Sequence, residues 1–371
     1  MPRQTPENLR PLTSLRYLAA LWVVAYHYWP QLSSAPAPRL VAKGYLGVEL
    51  FFVLSGFILS HVYLESFGRG RFGYGAFLWA RLARIYPAHL ATLAGLGLMA
   101  AIAARTGMPV GDQVLIWPSL PAELTLTQAW GLAPQGGWNH PSWSISAEWF
   151  AYLAFPGFAW ASWKLRSRPA GAVALALALL TILDLGFERL AGFPLTEATI
   201  AWGALRIVPC FALGCALYLL WRARPADSRG FGLARAAAYA AGAAGAIAAG
   251  APEPLCIGLF GAVIYALAAL PRAGSRLLSS GLFVYLGEVS FSLYMICIPW
   301  ELAFAKLAHR LLSLAAGPLP WPLWVVMIAG ATPVAMALHH LVEQPARLAM
   351  RRGLSVRLAP GAGADQAASF S

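Results

Sequence analysis

Charged residues are scarce in this sequence: Asp, Glu, Lys and Arg make up 11% of its 371 positions. An ordinary soluble domain carries about 25% charged residues. So few charges cannot cover a globular surface in water, which excludes an ordinary soluble protein. Apolar residues make up 59% of the chain, and lipid is the solvent that fits this composition. The length allows roughly ten membrane spans of about 20 residues each.

Cysteine pairs with the spacing of a metal site or a disulfide framework are also missing. Cys210, Cys215, Cys256 and Cys297 all lie inside apolar runs, and none forms a CxxC pair. This pattern indicates neither a zinc site nor a set of disulfides, so we expect no bound metal.

Acidic residues are few, 15 against 27 Lys and Arg, which gives a formal net charge of +12. In a soluble protein this charge would suggest a nucleic-acid partner. In a membrane protein basic residues mark cytoplasmic loops, and that interpretation fits the apolar composition. We therefore expect the lipid bilayer as a partner and no nucleic acid.

Ten apolar segments bounded by Pro, Gly and charges are predicted to span the membrane. Their approximate limits are 13–30, 45–63, 82–104, 143–163, 170–187, 199–221, 234–250, 254–271, 282–304 and 321–342. With the N-terminus inside, this order puts most Lys and Arg residues on the cytoplasmic side. We predict an all-α polytopic protein of the cell (inner) membrane, with about ten transmembrane helices and both termini cytoplasmic.

One transmembrane domain over 1–354 is expected, followed by a short disordered tail over 355–371 that is rich in Ala and Gly. The N-terminal apolar run resembles a secretory signal. Because it contains Trp22 and His27 and leads into another apolar segment, we predict a retained first span. The oligomeric state cannot be derived from the sequence.

The first span carries two ionisable residues, Arg16 and His27, eleven positions apart. At 100° and 1.5 Å per residue, they share one helix face and lie roughly 16 Å apart. A long substrate with an anionic head and a reactive far end fits this arrangement. The alternative is an Arg that reaches the membrane surface and an interfacial His beside Tyr26 and Tyr28.

The second span carries Glu49 at a depth close to that of His27. A carboxylate beside an imidazole would fix its tautomer and raise its basicity. Ser55 lies near mid-membrane, where helix packing is the alternative to chemistry. No GxSxG motif surrounds it.

Arg81 and Arg84 are three residues apart on the third predicted helix, so they share a face. Two guanidinium groups on one face can bind phosphate. Ordinary anchoring at the cytoplasmic surface is the alternative interpretation.

The fourth span begins with an unusually polar segment, WNHPSWSISAEW, which places Glu148 inside the membrane boundary. Ser142, Ser144 and Ser146 precede it and alternate with Trp143 and Trp149. So many hydrogen-bonding groups favour the wall of a pocket.

These residues occur in a characteristic order along the chain. Arg16 and His27 are followed by the segments GVELFFVLSGFIL, RLAR, PSWSISAEW, LRIVPCFALGCAL, FSLYMICIPW and VEQP. From about Thr13 to Arg352, the set resembles the acyltransferase 3 family of membrane proteins. The resemblance implies ten helices and transfer of acyl groups from cytoplasmic acyl-CoA to sugars of polysaccharides, lipopolysaccharides or macrolides.

The resemblance also implies roles for single residues. Arg16 and His27 match the Arg-to-His pair of the family, and Arg81 and Arg84 match the pair thought to hold the CoA phosphates. Glu148 matches the acidic residue of the segment rich in serine and tryptophan. Glu49 occupies the position where many members carry Asp or Glu.

We therefore predict an O-acyltransferase with acyl-CoA, in the first instance acetyl-CoA, as co-substrate and no permanently bound cofactor. The acceptor is a hydroxyl of a carbohydrate or glycoside. His27 is the predicted general base, oriented by Glu49 or Glu148, and an acyl-His27 intermediate is a second route. The predicted pocket also contains Ser55, Ser144, Ser146, Trp143, Arg206 and Tyr294.

A transporter or flippase of a glycan or glycolipid is the alternative function, since it also needs ionisable groups within the membrane. Such proteins often contain internal repeats, and we find none in the sequence. An assembly protein without chemistry would leave Arg16, His27 and Glu148 without a role.

Overall fold

A computed structural model describes residues 9–107, 114–223, 232–270 and 276–357. Every regular element in these ranges is helical, which confirms the predicted all-α class. Residues 355–357 belong to the last helix, and the rest of the predicted tail lies outside the described residues.

Twelve helices form the main body of the described chain. They are α1 (Arg10–Tyr28), α2 (Gly47–Gly68), α3 (Tyr74–Arg105), α4 (Trp143–Leu153), α5 (Phe155–Leu165), α6 (Pro169–Ala191), α7 (Gly203–Ala223), α8 (Gly232–Ala249), α9 (Glu253–Ala268), α10 (Gly281–Leu311), α11 (Trp321–Leu338) and α12 (Gln344–Arg357). A π-helical turn, His339–Glu343, joins α11 to α12. Short helices at Arg39–Ala42 and Leu120–Thr125 lie in the connections.

Within the described ranges, six helical segments are long and apolar enough to cross a membrane. They are Gly44–Gly68, Tyr74–Arg105, Pro169–Ala191, Gly203–Ala223, Gly281–Leu311 and Trp321–Arg352. This set shows a multi-pass membrane protein. The count of ten spans and the cytoplasmic position of the termini stay predictions.

The fourth predicted span is divided into two helices. Helix α4 ends at Leu153, and α5 begins at Phe155, next to Pro156. Proline has no N–H to donate and clashes with the preceding turn, so a continuous helix is disfavoured here. The short α4 therefore carries the polar segment as a separate element.

Both ends of α1 are tied by hydrogen bonds, one to the residues just before α10 and one to the middle of α10. The Ser14 hydroxyl donates to the carbonyl of Leu278 at 2.6 Å, and the Tyr28 hydroxyl donates to the carbonyl of Cys297 at 2.8 Å. We call the end of the bundle where α1 begins its inner end, and the end where α1 finishes its outer end. Arg16 therefore lies towards the inner end and His27 at the outer end.

Helices α2 and α7 make the closest helix pair in the centre of the bundle. Gly56 of α2 packs on the carbonyl of Phe211, and Gly214 of α7 packs on the carbonyl of Val53. Glycine permits this approach because it has no Cβ, and small residues are the usual contact between membrane helices. This contact sets the position of Glu49 and Ser55 on α2.

We expect Gly214→Ala to destabilise the protein by about 1–3 kcal/mol, because the added methyl group would overlap the carbonyl of Val53. Thermal unfolding of the purified protein in detergent should show a lower Tm. Gly186→Ala is the matched control, since a Cβ there meets no atom within 4 Å. Equal melting temperatures for the two variants would contradict the packing argument.

Candidate active site

A cavity enclosed by helices α1, α2, α3, α4 and α10 collects residues that are distant in sequence. Arg16, Arg81 and Arg84 line it, and so does Glu148 of α4. Arg16 lies close enough to Arg84 and Glu148 for their charges to interact. Ionisable groups are expensive to place inside an apolar bundle, so a cavity lined by four of them indicates a functional site.

The acidic side of this cavity is a hydrogen-bonded pair. The Ser55 hydroxyl donates to the Glu148 carboxylate, and both side chains line the cavity. Tyr152, one turn after Glu148, also interacts with this carboxylate. Glu148 is thus an acceptor that hydroxyl groups can reach, as a group that receives or holds a proton must be.

Ser144 and Tyr294 also line the cavity and connect it to the start of α4. The Ser144 hydroxyl donates to the Tyr294 oxygen at 2.8 Å, and the Tyr294 hydroxyl donates to the carbonyl of Pro141 at 2.8 Å. Pro141 directly follows His140 in the sequence. This chain of bonds fixes α10 against the outer connection, by which we mean residues 114–142 before α4.

A second acidic group faces the arginines from the other side. Arg84 forms an ion pair with Glu343, whose side chain is completely buried. The same carboxylate accepts a hydrogen bond from the Ser292 hydroxyl at 2.7 Å and lies 3.0 Å from Nδ1 of His339. Glu343 therefore occupies one side of the Arg84 guanidinium group.

No role was predicted from the sequence for Glu343, His339 or Ser292. Glu343 and His339 lie on the π-helical turn after α11, and such turns are frequent at functional sites. The VEQP segment that contains Glu343 was the one available signal. Its partner Arg84 is 259 positions away, so the pairing depends on the packing of α3 against the end of α11.

His27 lies at the outer end of α1 and is not among the described residues that line the cavity. Its ring packs edge to face on Tyr26, with centroids 5.1 Å apart, and its charge would interact with that of His140. His140 precedes Pro141, the residue that Tyr294 contacts. The Tyr294–Pro141 contact therefore joins the cavity lining to the residue next to His140.

Glu49 does not have the partner that we expected. Instead of orienting His27, its carboxylate accepts a hydrogen bond from Nε of Arg206 at 2.5 Å. Arg206 also donates to the carbonyl of Ala198 at 2.9 Å, and its guanidinium lies 4.4 Å from the ring centre of Trp143. The close α2–α7 packing brings these two charges together. Glu49 thereby supplies the anion that a buried arginine requires.

Ser146, Trp143 and Arg206 are not among the described residues that line this cavity. The Ser146 hydroxyl donates to the carbonyl of Leu126 at 2.8 Å and accepts from the amide of Ala129 at 3.0 Å. These bonds satisfy loop backbone groups, so Ser146 anchors the outer connection to α4.

A buried network in the outer connection was not foreseen. Glu123, 1% exposed, accepts hydrogen bonds from the Ser142 hydroxyl at 2.8 Å and the Gln128 amide at 3.0 Å. Burial raises the pKa of Glu123 to about 7. A single Glu between two predicted spans is expected to be exposed, so nothing in the sequence marked Glu123 as buried. The network holds the residues that precede α4.

Comparison with known proteins connects this geometry to a chemistry. The family model described as an acyltransferase domain (acyltransferase 3) matches residues 12–340. The chain is 31% identical over 400 residues to Acyltransferase MdmB of Streptomyces mycarofaciens, covering 97% of each protein. It is 41% identical over 101 residues to Protein 2 in the picA locus of Rhizobium radiobacter, covering 27% of this chain and 49% of that protein. No solved structure matches.

We expect Glu49→Ala to cost about 3–5 kcal/mol of stability, because it leaves the Arg206 charge buried without its anion. The double variant Glu49→Leu with Arg206→Met should recover most of the loss, since an apolar pair can replace a buried ion pair. Thermal unfolding in detergent measures both effects. If Glu49→Ala melts like the parent protein, the pair does not stabilise the bundle.

Proposed function

We propose a function for this chain from one premise: it belongs to the acyltransferase 3 family and is a membrane acyltransferase. The finer proposal is that it takes an acyl group, in the first instance acetyl, from acyl-CoA on the cytoplasmic side of the inner membrane. It transfers this group to a hydroxyl of a sugar or glycoside. Acyl-CoA acts as a co-substrate, and no cofactor stays bound.

The cavity with three arginines carries this proposal. Arg16, Arg81 and Arg84 line one space together with the Ser55–Glu148 pair. Guanidinium groups bind phosphate through paired, charge-assisted hydrogen bonds. A donor with a phosphorylated head and a reactive thioester would therefore place its head on the arginines and its arm along α1.

In the proposed reaction, His27 removes the proton from the acceptor hydroxyl at the outer end of the bundle. The hydroxyl oxygen attacks the thioester carbonyl carbon, the new C–O bond forms and the C–S bond breaks. CoA leaves as a thiolate, which takes up the proton. In this proposal the acyl end of the donor extends beyond the cavity lining to meet His27. An acyl-His27 intermediate is the second route: a C–N bond to His27 forms as the C–S bond breaks, and it breaks in turn as the acceptor oxygen forms the C–O bond.

The other predicted catalytic residues take supporting roles in this proposal. Glu148, hydrogen-bonded by Ser55, orients the donor within the cavity. Glu49 is a positioning residue: it holds Arg206 against Trp143, at the start of the helix that carries Glu148. The alternative of a transporter without chemistry has no specific observation in its favour, because the chain belongs to a family of acyltransferases.

The reaction can be tested by mass spectrometry of cell-surface glycans and secreted glycosides from cells with and without this chain. A product heavier by one acyl unit would identify donor and acceptor. With that acceptor, membranes containing the protein should form the ester and release free CoA thiol in equal amounts. Movement of the acceptor across the membrane without a covalent product would favour the transporter instead.

We expect His27→Ala to lower the rate of ester formation by about 10²–10⁴-fold, the usual contribution of a general base. His309→Ala, near the outer end of α10, is the matched control and should keep the parent rate. Protein level and membrane insertion should be equal in both. An active His27→Ala variant would refute the assigned role of this residue.

A further inference from the structure

Helix α12 brings a second pair of arginines to the inner side of the cavity. Arg347 and Arg351 are four residues apart, so they share one face of this helix. The charge of Arg347 interacts with those of Arg84 and Glu343, and the charge of Arg351 interacts with those of Arg81 and Arg84. The two pairs therefore face each other across the contact between α3 and α12.

This arrangement is built into the fold. The indole N–H of Trp79 on α3 donates to the carbonyl of Met350 on α12 at 2.8 Å, which fixes the two helices beside each other. The π-helical turn before α12 holds Glu343 next to Arg84. Arg347 and Arg351 are half-buried, whereas the neighbouring Arg352 is exposed. The pair thus lies on the packed side of the helix.

Four guanidinium groups in one place repel each other unless anions lie among them. Glu343 supplies one negative charge to Arg84, and Glu288 interacts with Arg347. The Nε atom of Arg81 is buried and has no hydrogen-bond partner among the described residues. A buried donor without a partner is rare and calls for an explanation, and a bound anion provides one.

We propose that Arg347 and Arg351 complete, with Arg81 and Arg84, a four-arginine site for a multiply phosphorylated donor. This rests on the proposed function, in which the donor is acyl-CoA. Arg81 and Arg84 line the cavity and take the 5′-diphosphate, from which the pantetheine arm extends. Arg347 and Arg351 lie outside the cavity lining and take the separate 3′-phosphate. The α12 pair then selects CoA thioesters over donors without that phosphate.

The test is equilibrium binding of acetyl-CoA and of 3′-dephospho-acetyl-CoA to the full chain in phosphatidylcholine nanodiscs. The parent protein should bind acetyl-CoA about tenfold more tightly than the dephospho compound, as expected for one charge-assisted contact. Arg347→Gln and Arg351→Gln combined should weaken acetyl-CoA binding by about the same factor and leave dephospho binding unchanged. Arg352→Gln removes the same charge from an exposed position and should change neither.

Three results would overturn this proposal. The α12 variants could bind acetyl-CoA like the parent, or they could lose affinity for both donors equally, as a merely structural role predicts. The preference for the 3′-phosphate could also be lost in nanodiscs with phosphatidylglycerol, which would assign the arginines to lipid phosphates. Arg347→Lys and Arg351→Lys keep the charge and secure the test if the Gln variants fail to fold. A parent protein that does not bind acetyl-CoA at all would refute the proposed function itself.

Discussion

Guanidinium groups inside an apolar bundle need anions, and this requirement organises the centre of the molecule. Arg206 is neutralised by Glu49 and Arg84 by Glu343, each across more than 150 positions of sequence. In both pairs the carboxylate is fully buried. Removing either partner would leave a charge in surroundings that cannot solvate it. The two pairs therefore tie α2 to α7 and α3 to the turn after α11.

The two paired arginines differ in what surrounds the rest of the guanidinium group. Arg206 has its guanidinium against Trp143 and the carbonyl of Ala198, so its surroundings are protein. Arg84 has Glu343 on one side and the cavity on the other. A guanidinium has five N–H donors in a fixed fork, so one carboxylate does not exhaust it. Arg84 can thus be held by Glu343 and still bind a ligand phosphate.

The polar outer connection serves the same site from the other end. Glu123 and Gln128 bind Ser142, and Ser146 binds the loop backbone, so the first turns of α4 are fixed before the helix reaches Glu148. The interruption of the helix before Pro156 separates this short element from α5. The first half of the polar segment WNHPSWSISAEW therefore supports the part of α4 that lines the cavity.

The sequence by itself determined the membrane character, the helical class and the residues that would be costly in lipid. Composition and the spacing of residues along single helices are enough for these predictions. The same spacing made Arg16, Arg81, Arg84 and Glu148 candidate site residues without knowledge of any tertiary contact. Only the tertiary structure decided the partners. Glu49 pairs with Arg206 rather than with His27, and Glu343 belongs to the site although it was not predicted. Both pairings cross the bundle, so they depend on which helices become neighbours. That choice arises from the packing of whole helix faces, such as the glycine contact of α2 with α7, and no local pattern specifies it.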